Sequence, residues 1–231
     1  MKVMLAYLVD FDGTISSNDI TSLLAKRFAG PAAAQIYSRY RQGEIGMRGW
    51  LKEIAGHFPA DLEKLLSAAC EAAAFTPGFA QFAGFARAAG RPLYIASDGF
   101  GFYIKPILKR HGYLEYITAI YSNNLRLGDN GRVTIEIPYA NHRCSVCGNC
   151  KAAHVCSLKE EGYRVVYIGN GLNDRFGAAH ADLVFARAGD PLADFFAAQQ
   201  MAFHRFNDFY EIIAFDYPEN FENRNIPLCS P

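Results

Sequence analysis

Two aspartates one residue apart, in Asp10-Phe11-Asp12-Gly13-Thr14, carry the strongest chemical signal in the chain. They follow the apolar run Val3-Met4-Leu5-Ala6-Tyr7-Leu8-Val9, which predicts a buried strand. The pair therefore stands at the carboxyl end of a strand, the edge where open α/β sheets bind ligands. Gly13 lets the backbone turn sharply there. Two acids buried side by side are costly unless a cation sits between them. The arrangement suggests a metal-assisted site with a carboxylate nucleophile. Read alone, the pentapeptide is also an ordinary acidic turn.

Three further groups follow in chain order. Ser97 closes the apolar run before Asp98-Gly99, where a hydroxyl and nearby N–H groups suit a phosphate oxygen. Lys151 opens a predicted helix and supplies a cation for an anion at the sheet edge. Gly169-Asn170-Gly171-Leu172-Asn173-Asp174 follows Val165-Val166-Tyr167-Ile168 and puts an amide and another acid at a third strand end. Asp174 reads as a metal ligand or as an orienter of metal-bound water. Each of these three is weak alone, as a turn serine, a solvated lysine or a plain loop. Acid-acid, hydroxyl, cation and amide-acid in that order are much harder to explain by coincidence.

The elements that must position these groups are short apolar strands alternating with helical patterns, which predicts a parallel α/β sheet. Strands are expected at Met4–Val9, Pro92–Ala96, Val165–Ile168 and Leu183–Ala186, and helices near Phe79–Ala89, Phe102–His111, Lys151–Glu161 and Asp190–Ala198. An insert over Ser16–Thr76 keeps helical spacing almost throughout, with Leu23, Leu24, Ile36, Trp50, Leu51, Ile54, Leu62 and Leu65 among its apolar positions. It reads as a small helical module on the side of Asp10 and Asp12. The expected division is a core of 1–15 and 77–231 with a cap of 16–76. Trp50 reads as a cap-core residue, and Arg39, Arg41 and Arg48 as solvated cations with a second anionic group as the alternative. Ile117–Ile137 reads as a hairpin around Gly128-Asp129-Asn130-Gly131. The stretch after Asp216 is polar and Pro-bearing.

The 231 residues balance 23 Lys and Arg against 23 Asp and Glu. No basic stripe marks a nucleic-acid binder, and no apolar stretch approaches the roughly 20 residues of a membrane span. The N-terminal pattern is not that of a signal peptide. A cytoplasmic location is expected, with the six cysteines reduced. Cys144, Cys147 and Cys150, with His142 before them and Cys156 beyond, read as thiols beside the Lys151 loop, zinc being the alternative. Oligomeric state is not legible.

With these four motifs in this order, the chain resembles the haloacid dehalogenase superfamily of phosphotransferases. The insert lies where that superfamily places its smaller cap. Asp10 through Asp19, with Ser97-Asp98-Gly99 and Phe102, looks like the phosphoserine-phosphatase-like branch. The Cys-rich approach to Lys151, Phe185-Ala186-Arg187 and Phe206-Asn207-Asp208-Phe209-Tyr210-Glu211 look like the methionine-salvage 2-hydroxy-3-keto-5-methylthiopentenyl-1-phosphate phosphatases. Phosphocholine and phosphoethanolamine phosphatases share the Ser-Asp pair and the Cys-rich loop.

The resemblance implies a Rossmann-like core with a helical cap, Mg²⁺ as cofactor and a small phosphorylated metabolite as substrate. It implies Asp10 as nucleophile and Asp12 as acid and base. Ser97, Asp98, Gly99 and Lys151 would hold the phosphate, and Asp10, Asp12, Asn170 and Asp174 the metal. Asp19 sits where related enzymes carry a substrate contact, and it is equally a good helix N-cap. One departure stands out: Asn170 occupies a position that is usually Asp. It predicts weaker Mg²⁺ binding and keeps open a poorly catalytic phosphoester-binding protein. A phosphomutase is a further alternative.

Overall fold

The computed structural model describes residues 4–128, 131–141, 144 and 146–215. Asp129, Asn130, His142 and the stretch from Asp216 onward lie outside the described residues.

The sheet is built from β1 (Met4–Val9), β2 (Leu93–Phe100), β3 (Ala119–Leu127), β4 (Val133–Glu136), β5 (Tyr163–Gly169), β6 (Leu183–Arg187) and β7 (His204–Phe206). Its order is β4-β3-β2-β1-β5-β6-β7. The β3–β4 pair is antiparallel and all other pairs are parallel. β1 is central, pairing with β2 through Tyr7–Leu93 and with β5 through Tyr7–Val166. Chain order reverses around β1, which is where a crevice opens at the carboxyl edge.

Alternation along β1 sends side chains to both faces. Leu5, Tyr7 and Val9 enter one core with Phe79, Phe82 and Phe209, while Ala6 and Leu8 enter a second with Val155, Tyr167 and Phe196. Both faces are covered, so the strand is apolar throughout, as parallel sheets require. The covering helices are α5 (Phe79–Ala88), α6 (Gly101–Arg110), α7 (Lys151–Glu160), α8 (Arg175–His180), α9 (Pro191–Ala198) and α10 (Phe209–Ile213).

The insert forms α1 (Ile20–Ala29), α2 (Pro31–Arg41), α3 (Met47–Ala55) and α4 (Leu62–Ala72). Its entering and leaving segments pair with each other: Ser17 N–H donates to Ala74 O at 2.7 Å and Thr76 N–H to Ile15 O at 2.9 Å. Asp61 caps α4 through the Lys64 N–H at 3.0 Å.

Three features differ from expectation. β2 continues past Ala96 to Phe100, and its register with β3 shifts between those residues. Ser97, Asp98 and Gly99 therefore ride an irregular stretch of strand, where such distortions re-aim side chains. β7 is an additional edge strand, and α10 an additional short helix capped by Asp208, whose carboxylate accepts from Tyr210 N and Glu211 N.

Candidate active site

Asp10, Asp12, Ser97, Asp98, Gly99 and Asn170 line one cavity of about 100 Å³ at the carboxyl edge, closed on the insert side by Tyr40, Met47, Trp50 and Leu51. The register of β1 places Asp10 directly after the buried strand, and Asp10 N–H bonds Ile168 O at 2.9 Å. Its Oδ1 accepts from Phe11 N at 2.8 Å and lies 3.0 Å from Lys151 Nζ. Burial and then the neighbouring Asp174 carboxylate hold Asp10 well above the usual carboxylate range, against the pull of Lys151.

Gly13 is required twice over. Its φ is +77°, and an added Cβ would stand 2.2 Å from Asn170 Nδ2. The turn it makes is held from β6, where Arg187 donates to Gly13 O at 2.7 Å. Gly99 is equally confined, since a Cβ there would meet Tyr103 Oη and Asp12 Oδ2.

Asp12 is held by the insert and by α6. Its Oδ1 accepts from Ile20 N at 3.1 Å, and its Oδ2 accepts from Thr21 Oγ1 at 3.0 Å and from the Tyr103 hydroxyl. Burial, with repulsion from Asp19, pushes Asp12 up to about 7 against those three hydrogen bonds. A carboxyl so placed can keep a proton near neutral pH and give it up.

Lys151 opens α7 and is 2 % exposed. Its ammonium lies 2.5 Å from Asp174 Oδ1, 3.0 Å from Asp10 Oδ1 and 3.8 Å from Asp98 Oδ2. Burial works against its charge, but Asp10, Asp174 and Asp98 outweigh that and push its pKa up, so it stays protonated. The loop before it is fixed by Asn149, whose Nδ2 donates to Ser97 O at 3.0 Å and Tyr121 O at 2.9 Å. His154 backs Asn149, with Nε2 2.7 Å from Asn149 Oδ1 and its ring stacked on Tyr121 at 4.0 Å.

Burial, then the Lys151 charge, lowers His154 from its ordinary 6.5 to about 4. The unfolded chain therefore binds this proton more readily than the folded one. The neutral-His contribution is present above about 6.5 and is lost as pH falls toward about 4. Wild type is expected to lose stability more steeply than His154→Gln across that window, as read by urea unfolding at each pH.

Asp174 is fully buried. Oδ1 takes Lys151 Nζ at 2.5 Å and the Tyr167 hydroxyl at 2.7 Å, and Oδ2 takes Asn170 N at 3.0 Å and Gly171 N at 2.9 Å. A carboxylate offers about four acceptor positions, and all are filled. Asp174 orders the Asn170 loop and Lys151, and it is not among the residues that line the cavity.

Asp19 caps α1, with Ser22 N at 2.8 Å from Oδ1 and Ser22 Oγ at 2.6 Å from Oδ2, and also borders the cavity. Arg48 is not free for an anion: its guanidinium bonds the carbonyls of Cys144 at 2.8 Å and Cys147 at 3.3 Å. Arg39 pairs with Glu53 at 2.6 Å and with Glu44. Arg41 lies outside the cavity lining, in an adjoining outer vestibule with Arg175.

The described cysteines, Cys70, Cys144, Cys147, Cys150 and Cys156, are free thiols. Among the described residues no group of three or more His, Cys, Asp and Glu side chains has metal-binding geometry. Sequence reasoning missed Thr21, Tyr103, Asn149, His154, Tyr167, Asn173 and Arg187, all of which act on the site across the fold.

The residues present fit a divalent cation on their own terms. Asp10, Asp98 and Asp174 surround one buried ammonium, leaving an excess of buried negative charge. Asp10 and Asn170, each carrying a hard oxygen donor, line the same cavity.

The chain is a phosphatase with the fold of the haloacid dehalogenase phosphatases. Residues 5–207 match the family described as "Putative Phosphatase", and the chain belongs to that family. It is 30% identical over 203 residues to a 2-hydroxy-3-keto-5-methylthiopentenyl-1-phosphate phosphatase of Microcystis aeruginosa, covering 88% of this chain and 93% of the relative. A Bacillus cereus phosphatase of the same name is 29% identical over 206 residues, covering 88% and 91%. Among solved structures, a phosphoserine phosphatase carrying a phospho-aspartyl intermediate analogue aligns with TM-score 0.71 and 20% identity over 92% of this chain and 98% of that one. A substrate-bound phosphoserine phosphatase aligns with TM-score 0.67 and 19% identity over the same shares. No helix among the described residues is long and apolar enough to cross a membrane.

Proposed function

We propose that the protein hydrolyses the phosphate ester of a small, largely neutral alcohol through an aspartyl-phosphate on Asp10, with 2-hydroxy-3-keto-5-methylthiopentenyl-1-phosphate as substrate. The observation that carries the phosphoryl chemistry is the buried Asp10 carboxylate held by Lys151 at 3.0 Å beside the protonatable Asp12. The named activity of the relatives at about 30% identity supports the substrate. The cavity lining agrees with it. Among the described residues that line it there is no Lys or Arg to meet a substrate carboxylate, and its insert wall of Met47, Trp50, Leu51 and Tyr40 suits an apolar thioether tail.

Asp10 attacks phosphorus and the ester oxygen leaves, taking a proton from Asp12. Asp12, now a carboxylate, removes a proton from water, whose oxygen attacks phosphorus and frees Asp10. Ser97 and Lys151 hold phosphoryl oxygens as charge spreads over them. Asp174 positions Lys151. α1–α4 act as a cap over residues 16–76, excluding water and shaping the leaving-group side. Asp10, the backbone carbonyl of Asp12 and Asn170 would hold Mg²⁺, which supplies charge neutralisation for the phosphate dianion when bound.

A cationic alcohol such as choline is the second reading, favoured by the Tyr40 and Trp50 rings beside Asp19 and Asp98 in one lining. Phosphate release from the methionine-salvage ester, phosphoserine, phosphocholine and phosphoethanolamine tests both. The salvage ester is expected to be fastest, and phosphoserine slowest.

Asn170 gives a separate prediction. Its Oδ1 accepts from Thr14 Oγ1 at 3.1 Å, and its side chain also bonds Asp190. Asn170→Asp adds a charge to the proposed donor set and is expected to tighten Mg²⁺ about tenfold by calorimetry. The metal-free variant is expected to unfold at lower temperature, because the new carboxylate faces Asp190.

A further inference from the structure

Trp50 is the one tryptophan of the chain. It is 6% exposed, packs in the core of the insert and lines the cavity. Its Nε1–H is buried with no acceptor. Buried polar groups are rarely left unpaired, and each such case asks for a missing partner. The surrounding wall is apolar at Met47 and Leu51. Asp98, in the same lining, is already held by Asn173 Nδ2 at 2.6 Å and by the Asn149 backbone. A ligand that satisfies the indole carries a carbonyl or equivalent acceptor oxygen on its alcohol half.

We propose that Trp50 is a specificity-determining residue, its indole N–H donating to an acceptor oxygen near the ester carbon of the leaving alcohol. The inference rests on the phosphatase reading above and adds the group that reads the alcohol. A site built to hydrogen-bond an oxygen rejects the analogue that lacks it, because its own buried groups stay unpaired.

Hydroxyacetone phosphate and n-propyl phosphate differ by one carbonyl oxygen and test this directly. The ratio of their kcat/KM values is measured in wild type and in Trp50→Phe, and effects on folding or on the phosphoryl end cancel in that ratio. The preference for the keto ester is expected to fall about tenfold in the variant. An unchanged ratio would overturn the proposal.

Where Trp50→Phe fails to fold, the wild-type protein carries the test alone, because a single tryptophan gives a single indole N–H resonance. Titration with 3-oxobutylphosphonate is expected to shift that proton downfield, and butylphosphonate to leave it nearly in place. Equal shifts, or none with either ligand, would overturn the proposal. Neither readout uses the methionine-salvage ester, so a wrong choice of that substrate shows in the ester panel and leaves these outcomes distinct.

Discussion

Asp10→Asn is expected to abolish phosphate release while leaving the protein as stable as wild type or more so. The amide keeps an oxygen that can accept from Phe11 N and Lys151, so the turn after β1 survives. It is far too poor a nucleophile to attack phosphorus, and loss of a group that forms the covalent intermediate costs on the order of 10⁴-fold or more. Stability moves the other way. Burial and Asp174 raise the Asp10 pKa, which means that its charge works against the folded state at neutral pH. Removing that charge relieves the strain that the chemistry needs. Phosphate release and metal-free thermal unfolding, measured on the same preparation, check both halves. A variant that keeps more than about a hundredth of wild-type activity contradicts the nucleophile assignment.

The second large effect falls on Lys151. Lys151→Met keeps most of the volume and removes the charge. Asp10, Asp98 and Asp174 then face one another without their shared cation. Leaving buried charges uncompensated costs about 3–5 kcal/mol, which lowers Tm by about 10 °C in a domain of this size. Phosphate release is expected to vanish as well, because in the proposed mechanism Lys151 holds the phosphoryl oxygens. Adding Asp174→Asn is expected to restore part of the Tm and none of the activity. That pattern separates the structural role of the ion pair from its role toward substrate. Full recovery of activity in the double variant would place Lys151 outside phosphate binding.

These effects bear on what the chain discloses before folding. The four principal strands announce themselves because central parallel strands are buried on both faces, so β1, β2, β5 and β6 are near-continuous apolar runs. β7 does not. It is a three-residue edge strand in which His204 and Arg205 are exposed and only Phe206 is buried. The insert is legible from its spacing and from the turn residues around it.

Within the site, Asp10, Asp12, Ser97, Lys151 and Asn170 are visible because each follows an apolar run or opens a helical pattern in the sequence. Tyr103 and Arg187 are not, because each bonds a site residue remote from it in sequence. Arg187 to Gly13, for instance, spans 174 positions. Asp174 shows the opposite limit. Its place in the motif is plain from sequence, but the filling of its acceptor positions by Lys151, Tyr167 and two backbone N–H groups exists only in the fold. Arg48 reads as a solvated cation in the sequence and is a clasp in the structure, binding the carbonyls ahead of the Lys151 loop.

The most direct test of the account is to look for phosphate on Asp10. Wild-type protein is mixed with Mg²⁺ and the methionine-salvage ester, quenched in acid during turnover and reduced with borohydride, which converts an aspartyl-phosphate to homoserine. The account predicts homoserine at position 10, found by peptide mass spectrometry and absent from Asp10→Asn. Phosphate release with Asp10 recovered unmodified at every quench time, or homoserine at another aspartate, would contradict it.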